Sequence, residues 1–182
     1  MMGAYFCAGA GFVVSATFIV AIVNGMPQLG GKGAWVFLAV GLAATPACIV
    51  WDLIARRTGQ LNALILASAL QALGILLPLL GDGLGTAMAG AALFGGTFAG
   101  IVSMVMSMAG RFYPTRPAKM MSKLTVGYGV AQIGAPALIG WLAGQNGSYA
   151  FGLYLASAVM LVGMFLFGLL RLVERREAAR AA

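Results

Sequence analysis

Residues 84–109 read LGTAMAGAALFGGTFAGIVSMVMSMA without one charged side chain, and Arg111, Arg116, Lys119 and Lys123 follow close behind. A bilayer core of about 30 Å takes roughly 20 apolar residues as a helix, so this run is long enough to cross it. Working outward, the stretches 4–23, 34–51, 61–80, 124–143 and 149–170 have the same character. Polar or Gly/Pro-bearing breaks separate them: Asn24 to Gly33, Arg56 to Gln60, Gly81-Asp82-Gly83, Arg111 to Lys123 and Gly144 to Ser148. The apolar runs are continuous rather than alternating, which argues against a β-barrel. The expected fold is an all-α membrane protein of six transmembrane helices. The composition agrees, because only 8% of the chain is charged, whereas a soluble domain carries about 25%.

The net charge of +7 raises the question of nucleic acid. The positions of the charges answer it. Of eleven Lys and Arg residues, all but Lys32 fall in the loop after the second span, the loop after the fourth, or the tail after the sixth. The positive-inside rule makes those segments cytoplasmic, and an even number of spans puts the N-terminus on that side too. The basic residues are a topology signal, with none of the clustered face that nucleic-acid binding uses. An integral plasma (cell inner) membrane protein with both termini cytoplasmic is expected, and no nucleic-acid partner. The first span has no Lys or Arg before it, unlike a signal peptide. Residues 1–172 read as one six-helix bundle, and 173–182 as a short basic cytoplasmic tail.

Two segments share a pattern. Pro46-Ala47-Cys48-Ile49-Val50-Trp51 and Pro136-Ala137-Leu138-Ile139-Gly140-Trp141 are both P-A-x-I-x-W, and Thr17-Phe18 and Thr97-Phe98 each follow two small residues. Spans 1 and 2 therefore echo spans 4 and 5. A repeated unit of three helices is inverted in the membrane, because three is odd, and inverted three-helix repeats mark many secondary transporters. Small residues at Ala92, Gly96 and Gly100, and at Gly140 and Gly144, offer close helix contacts. Pro46 and Pro136 free the carbonyls of Leu42 and Gln132. A packing kink and a gating hinge both fit that.

Enzyme chemistry finds few residues to work with. The chain has no histidine, and none of its carboxylates, Asp52, Asp82, Glu174 and Glu177, falls at mid-span. No metal site or cofactor is expected. Cys7 and Cys48 sit in apolar helices and read as inert buried thiols. Asp52 and Arg56, four residues apart at the end of span 2, share a helix face and can pair. Asp is unfavourable at a helix C-terminus, so Arg56 or a neighbouring helix end should compensate it. The pair either marks the membrane interface or does functional work there.

The stretch Asp52-Leu53-Ile54-Ala55-Arg56-Arg57 resembles the second half of the G-x-x-x-D-x-x-G-R-R loop of the major facilitator superfamily, with Cys48 and Ala55 in place of its glycines. Further segments are similar to the YbfB/YjiJ family of that superfamily. They are Gly11-Phe12 with Ser15-Ala16-Thr17-Phe18, Gln71 through Pro78, Gly95 through Val102, and Tyr128 through Pro136. Ser15 departs from the proline expected there. The resemblance covers nearly the whole chain but only the C-terminal six helices of that family's twelve. It implies half of a major facilitator fold, with spans 1 and 4 lining a central cavity.

The polar residues near mid-depth on those spans are Ser15, Thr17, Thr97 and Ser103, with Tyr128 and Gln132 approaching from span 5. These are the substrate-cavity candidates. The hydroxyls can equally bond their own helix backbone, whereas the Gln132 amide asks for more than one partner. Asp52, Arg56 and Arg57 form the loop-motif candidate, and Gln71 reads as interhelical glue. The implied function is secondary transport of a small solute by alternating access, with the lipid bilayer as solvent. A second six-helix half would be the partner, as a missing N-terminal domain, a separate chain or a second copy. The competing reading is a non-transporting membrane scaffold or partner-binding subunit.

Overall fold

A computed structural model of the chain describes residues 1–25, 31–81, 83–146 and 150–181. Among them are six helices: α1 (Met2–Gly25), α2 (Gly33–Thr58), α3 (Gln60–Leu80), α4 (Leu84–Phe112), α5 (Pro117–Asn146) and α6 (Ala150–Ala181). All six are long and apolar enough to cross a membrane. The sequence expectation that Asp82 occupies an external turn lies outside the described residues, as do parts of the breaks at 26–30 and 147–149.

The helices outrun the apolar stretches at the arginine-rich end. α2 continues past Trp51 through Asp52, Arg56 and Arg57 to Thr58, so the expected loop at 56–60 shrinks to Gly59. Gly59 turns the chain at φ +91°, a value that favours glycine, and donates its N–H to the Ala55 carbonyl at 2.9 Å. α5 begins at Pro117, well before the apolar run at 124. Proline suits the first helical position because its missing N–H would be unpaired there anyway. Likewise α6 runs unbroken from Ala150 to Ala181, so residues 173–182 up to Ala181 prolong that helix.

The most extensive helix pairings are α2 with α4, α4 with α3, α3 with α6, α6 with α1, and α1 with α5, and only that of α3 with α4 joins consecutive helices. Exchanging α1 with α4, α2 with α5 and α3 with α6 maps this pattern onto itself. That is the signature of two inverted three-helix repeats, and glycine contacts repeat with it. A Cβ on Gly90 of α4 would lie 2.9 Å from the Gly74 carbonyl of α3, and one on Gly11 of α1 would lie 3.2 Å from the Ala156 carbonyl of α6. Lipid tails offer no hydrophobic drive between helices, so such backbone approaches supply the packing that association needs.

The core divides by depth. Tyr5, Trp51, Leu64, Met104, Leu124, Met160 and Phe167 cluster toward the arginine-rich end. Val14, Val36, Ile75, Phe94, Ile139 and Leu153 cluster toward the other. α3 and α6 close one side of α1 and α4. On the opposite side α2 and α5 flank α1 and α4 without touching each other among the described residues. The strip where α1 meets α4 is therefore left open between α2 and α5.

Candidate functional site

Aromatic rings converge where α1, α4 and α5 meet. Phe12 of α1 stacks with Phe94 at 5.7 Å between ring centroids and tilts against Phe98 at 4.7 Å, both on α4. It also lies 6.3 Å from Tyr128 of α5, which stacks on Tyr5 of α1 at 4.8 Å. Helical spacing sets this up. Phe94 and Phe98 are four apart, and Tyr5, Gly9 and Phe12 share a stripe of α1. Gly9 is needed in that stripe, since a Cβ there would come within 2.8 Å of the Tyr128 ring. Phe94 is fully buried, while Phe12, Phe98 and Tyr128 keep part of their surface exposed. Gln132, one turn beyond Tyr128 on α5, is half-buried and has no hydrogen-bond partner among the described residues.

The other sequence candidates scatter. Thr97 is buried on the inner side of α4, and its hydroxyl donates back to the carbonyls of Leu93 and Phe94 at 2.8 and 3.1 Å. Ser15 is buried too, beside Gly74, Pro78 and Phe94 at a void of about 10 Å³, with its Oγ unpartnered. Thr17 is exposed on a different side of α1. Ser103 bonds its own helix at Gly100 (3.0 Å) and lines a separate cavity. Of six candidates, only Tyr128 and Gln132 share a face with the ring cluster. Tyr5, Phe12, Phe94 and Phe98 were not among them. Their signal was in the sequence as aromatics at helical spacing, but aromatic residues in a membrane helix read first as packing. Gln71, expected as interhelical glue, is buried with its Oε1 unpartnered.

That separate cavity, of about 760 Å³, opens at the arginine-rich end among α2, α3, α4 and α6. Asp52, Arg56, Gln60, Arg111 and Glu174 supply its charge and polarity. The expected pair forms: Arg56 Nε donates to Asp52 Oδ2 at 2.8 Å. Gln60, the first residue of α3, donates through Nε2 to the Met104 carbonyl (2.7 Å) and accepts from Arg111 Nη1 (3.1 Å). One amide thus ties the start of α3 to α4 and fixes a guanidinium. Arg57 is exposed. Among the described residues no group of His, Cys, Asp or Glu could hold a metal ion.

No curated protein matches this chain. A protein-family model described as "Uncharacterised MFS-type transporter YbfB" matches residues 1–167. With six membrane-crossing helices in two inverted repeats, the chain belongs to that family of major facilitator transporters.

Proposed function

We propose that this chain is one six-helix half of a secondary transporter that moves a small solute across the plasma (cell inner) membrane by alternating access. The observation that carries this is the open strip of α1 and α4 between α2 and α5, which do not touch each other among the described residues. Alternating access needs a second bundle to rock against the first about a midplane site. The faces of α2 and α5 suit such a partner. Leu42 and Ile49 on α2 are 66% and 68% exposed, and Ile133 and Trp141 on α5 are 78% and 62% exposed. Each flank thus presents large apolar side chains that are mostly exposed. The second bundle is a further domain, a separate chain or a second copy. The basic loops and both ends face the cytoplasm.

Reconstitution tests it. The chain is placed in proteoliposomes alone and together with a co-purifying six-helix bundle, and solute flux is measured against empty vesicles. Flux in either arrangement, abolished by crosslinking α2 to the partner, is the expected result. A bundle that folds, inserts and assembles yet passes no solute is a scaffold, and the proposal fails.

A further inference from the structure

Three rings at the open strip, Phe12, Phe98 and Tyr128, lie near the middle of their helices, and Phe98 is the central residue of α4 (Leu84–Phe112). They are held against one another at centroid distances of 4.7 and 6.3 Å about Phe12. Their positions are set from behind by buried Phe94 and beside α1 by the gap at Gly9. A Cβ on Gly127 or Gly129, the chain neighbours of Tyr128, would meet nothing among the described residues within 4 Å, so this stretch of α5 faces open space on both sides of the tyrosine. Gln132, one turn on from Tyr128 on α5, adds a primary amide with no hydrogen-bond partner among the described residues. No formally charged residue occurs in 2–25, 84–110 or 124–146.

We infer that this cluster is a subsite for a flat, uncharged aromatic or conjugated ring bearing a hydrogen-bonding substituent. The assignment rests on the transport reading only for calling the occupant a solute. Ring faces are electron-rich and repel anions, and the three helix segments that carry the rings hold no cation to offset that. A free hydrated ion finds no carboxylate here to replace its water. A flat ring is different, because stacked or edge-on contacts with Phe12 and Phe98 are favourable beyond the area they bury. A carboxamide or similar group on the ring pairs donor to acceptor with the Gln132 amide, which uses both functions of that side chain.

The test compares benzamide with cyclohexanecarboxamide, which has the same amide on a saturated ring, and with benzoate, which has the same ring on an anion. Saturation-transfer NMR is run on the full chain in nanodiscs, with empty nanodiscs subtracted. Benzamide should exceed cyclohexanecarboxamide by about three- to tenfold in apparent affinity, the worth of one or two ring contacts. Benzoate should fall to background. Phe98→Leu and Phe12→Leu keep apolar volume and helicity, which circular dichroism checks, and each should erase the preference for the flat ring. Gln132→Leu should lower benzamide binding while leaving toluene binding unchanged. Equal binding of the saturated and aromatic amides, or a preference that survives both Phe→Leu changes, overturns the inference. Flux without ring selectivity sinks this assignment alone. Ring-selective binding without flux sinks the transport reading and leaves the subsite standing.

Discussion

Trp51 shows how one residue fixes a helix interface in a solvent without water. Its indole N–H donates to the Gly96 carbonyl at 2.6 Å, and its ring occupies the space that a Gly100 side chain would need. The contact holds α2 on α4, and no other residue type at position 100 leaves room for the ring. Gly100→Val should therefore destabilise the folded bundle by about 1–3 kcal/mol, the usual cost of overpacking. Trp51→Phe keeps most of the packing and loses the donor, for about 0.6 kcal/mol. Denaturant unfolding in detergent measures both, and a Gly100→Val variant as stable as the parent would show that α2 does not seat there. Asp52 is the opposite case. Its bond to Arg56 joins two exposed side chains, and exposed pairs contribute about 0–1 kcal/mol. Asp52→Asn should leave abundance and thermal stability unchanged while lowering transport in the assembled transporter. Unchanged transport would reduce the pair to a marker of the membrane interface.

At the scale of elements, the sequence carries the spans well and the faces poorly. Continuous apolar runs with charged ends had no other reading, and the helices fall where those runs do. The charged breaks at 56–60 and 111–123 are shorter than composition suggests, because charge at the interface does not end a helix. Arg56 and Arg57 ride on the last turn of α2, as the helical Asp52–Arg56 pair requires, with their backbones still bonded and their side chains exposed. Which side of each helix faces inward was not legible. In a soluble helix the polar face points to water, but here lipid and core are both apolar, so periodicity says little. The paired tryptophans show it. Trp51 is buried against α4, and its sequence twin Trp141 stands 62% exposed on α5. Thr97 looked like a cavity residue and spends its hydroxyl on its own helix. The orientation of the elements is open to direct test. Reporter fusions after Gly59, Pro117 and the C-terminus should read cytoplasmic, and fusions at Lys32 and Asn146 external. The charge bias of the loops requires this, and an external C-terminus would remove the six-span orientation.

For the whole molecule the open question is where energy enters. Proton-coupled carriers usually place a carboxylate or histidine within the membrane, where desolvation brings a carboxylate's pKa into the working range. This chain has no histidine, and its four acids are Asp52, Asp82, Glu174 and Glu177. Asp52 is exposed and bonded to Arg56, and Glu174 lines the charged cavity at the same end. Glu177 is exposed on the last turns of α6, and Asp82 lies outside the described residues. The ring cluster at mid-depth offers Phe12, Phe98, Tyr128 and the Gln132 amide, with no carboxylate or histidine on those helix segments. If the proposed function holds, this half supplies solute contacts and any coupling carboxylate belongs to the second bundle. Replacing Asp52 and Glu177 by amides, then Asp82 and Glu174, one at a time in the assembled transporter, checks this. Proton dependence of uptake should survive each change, even where Asp52→Asn slows the rate. A single amide that abolishes proton dependence while solute binding persists would place the coupling site in this half, at that residue.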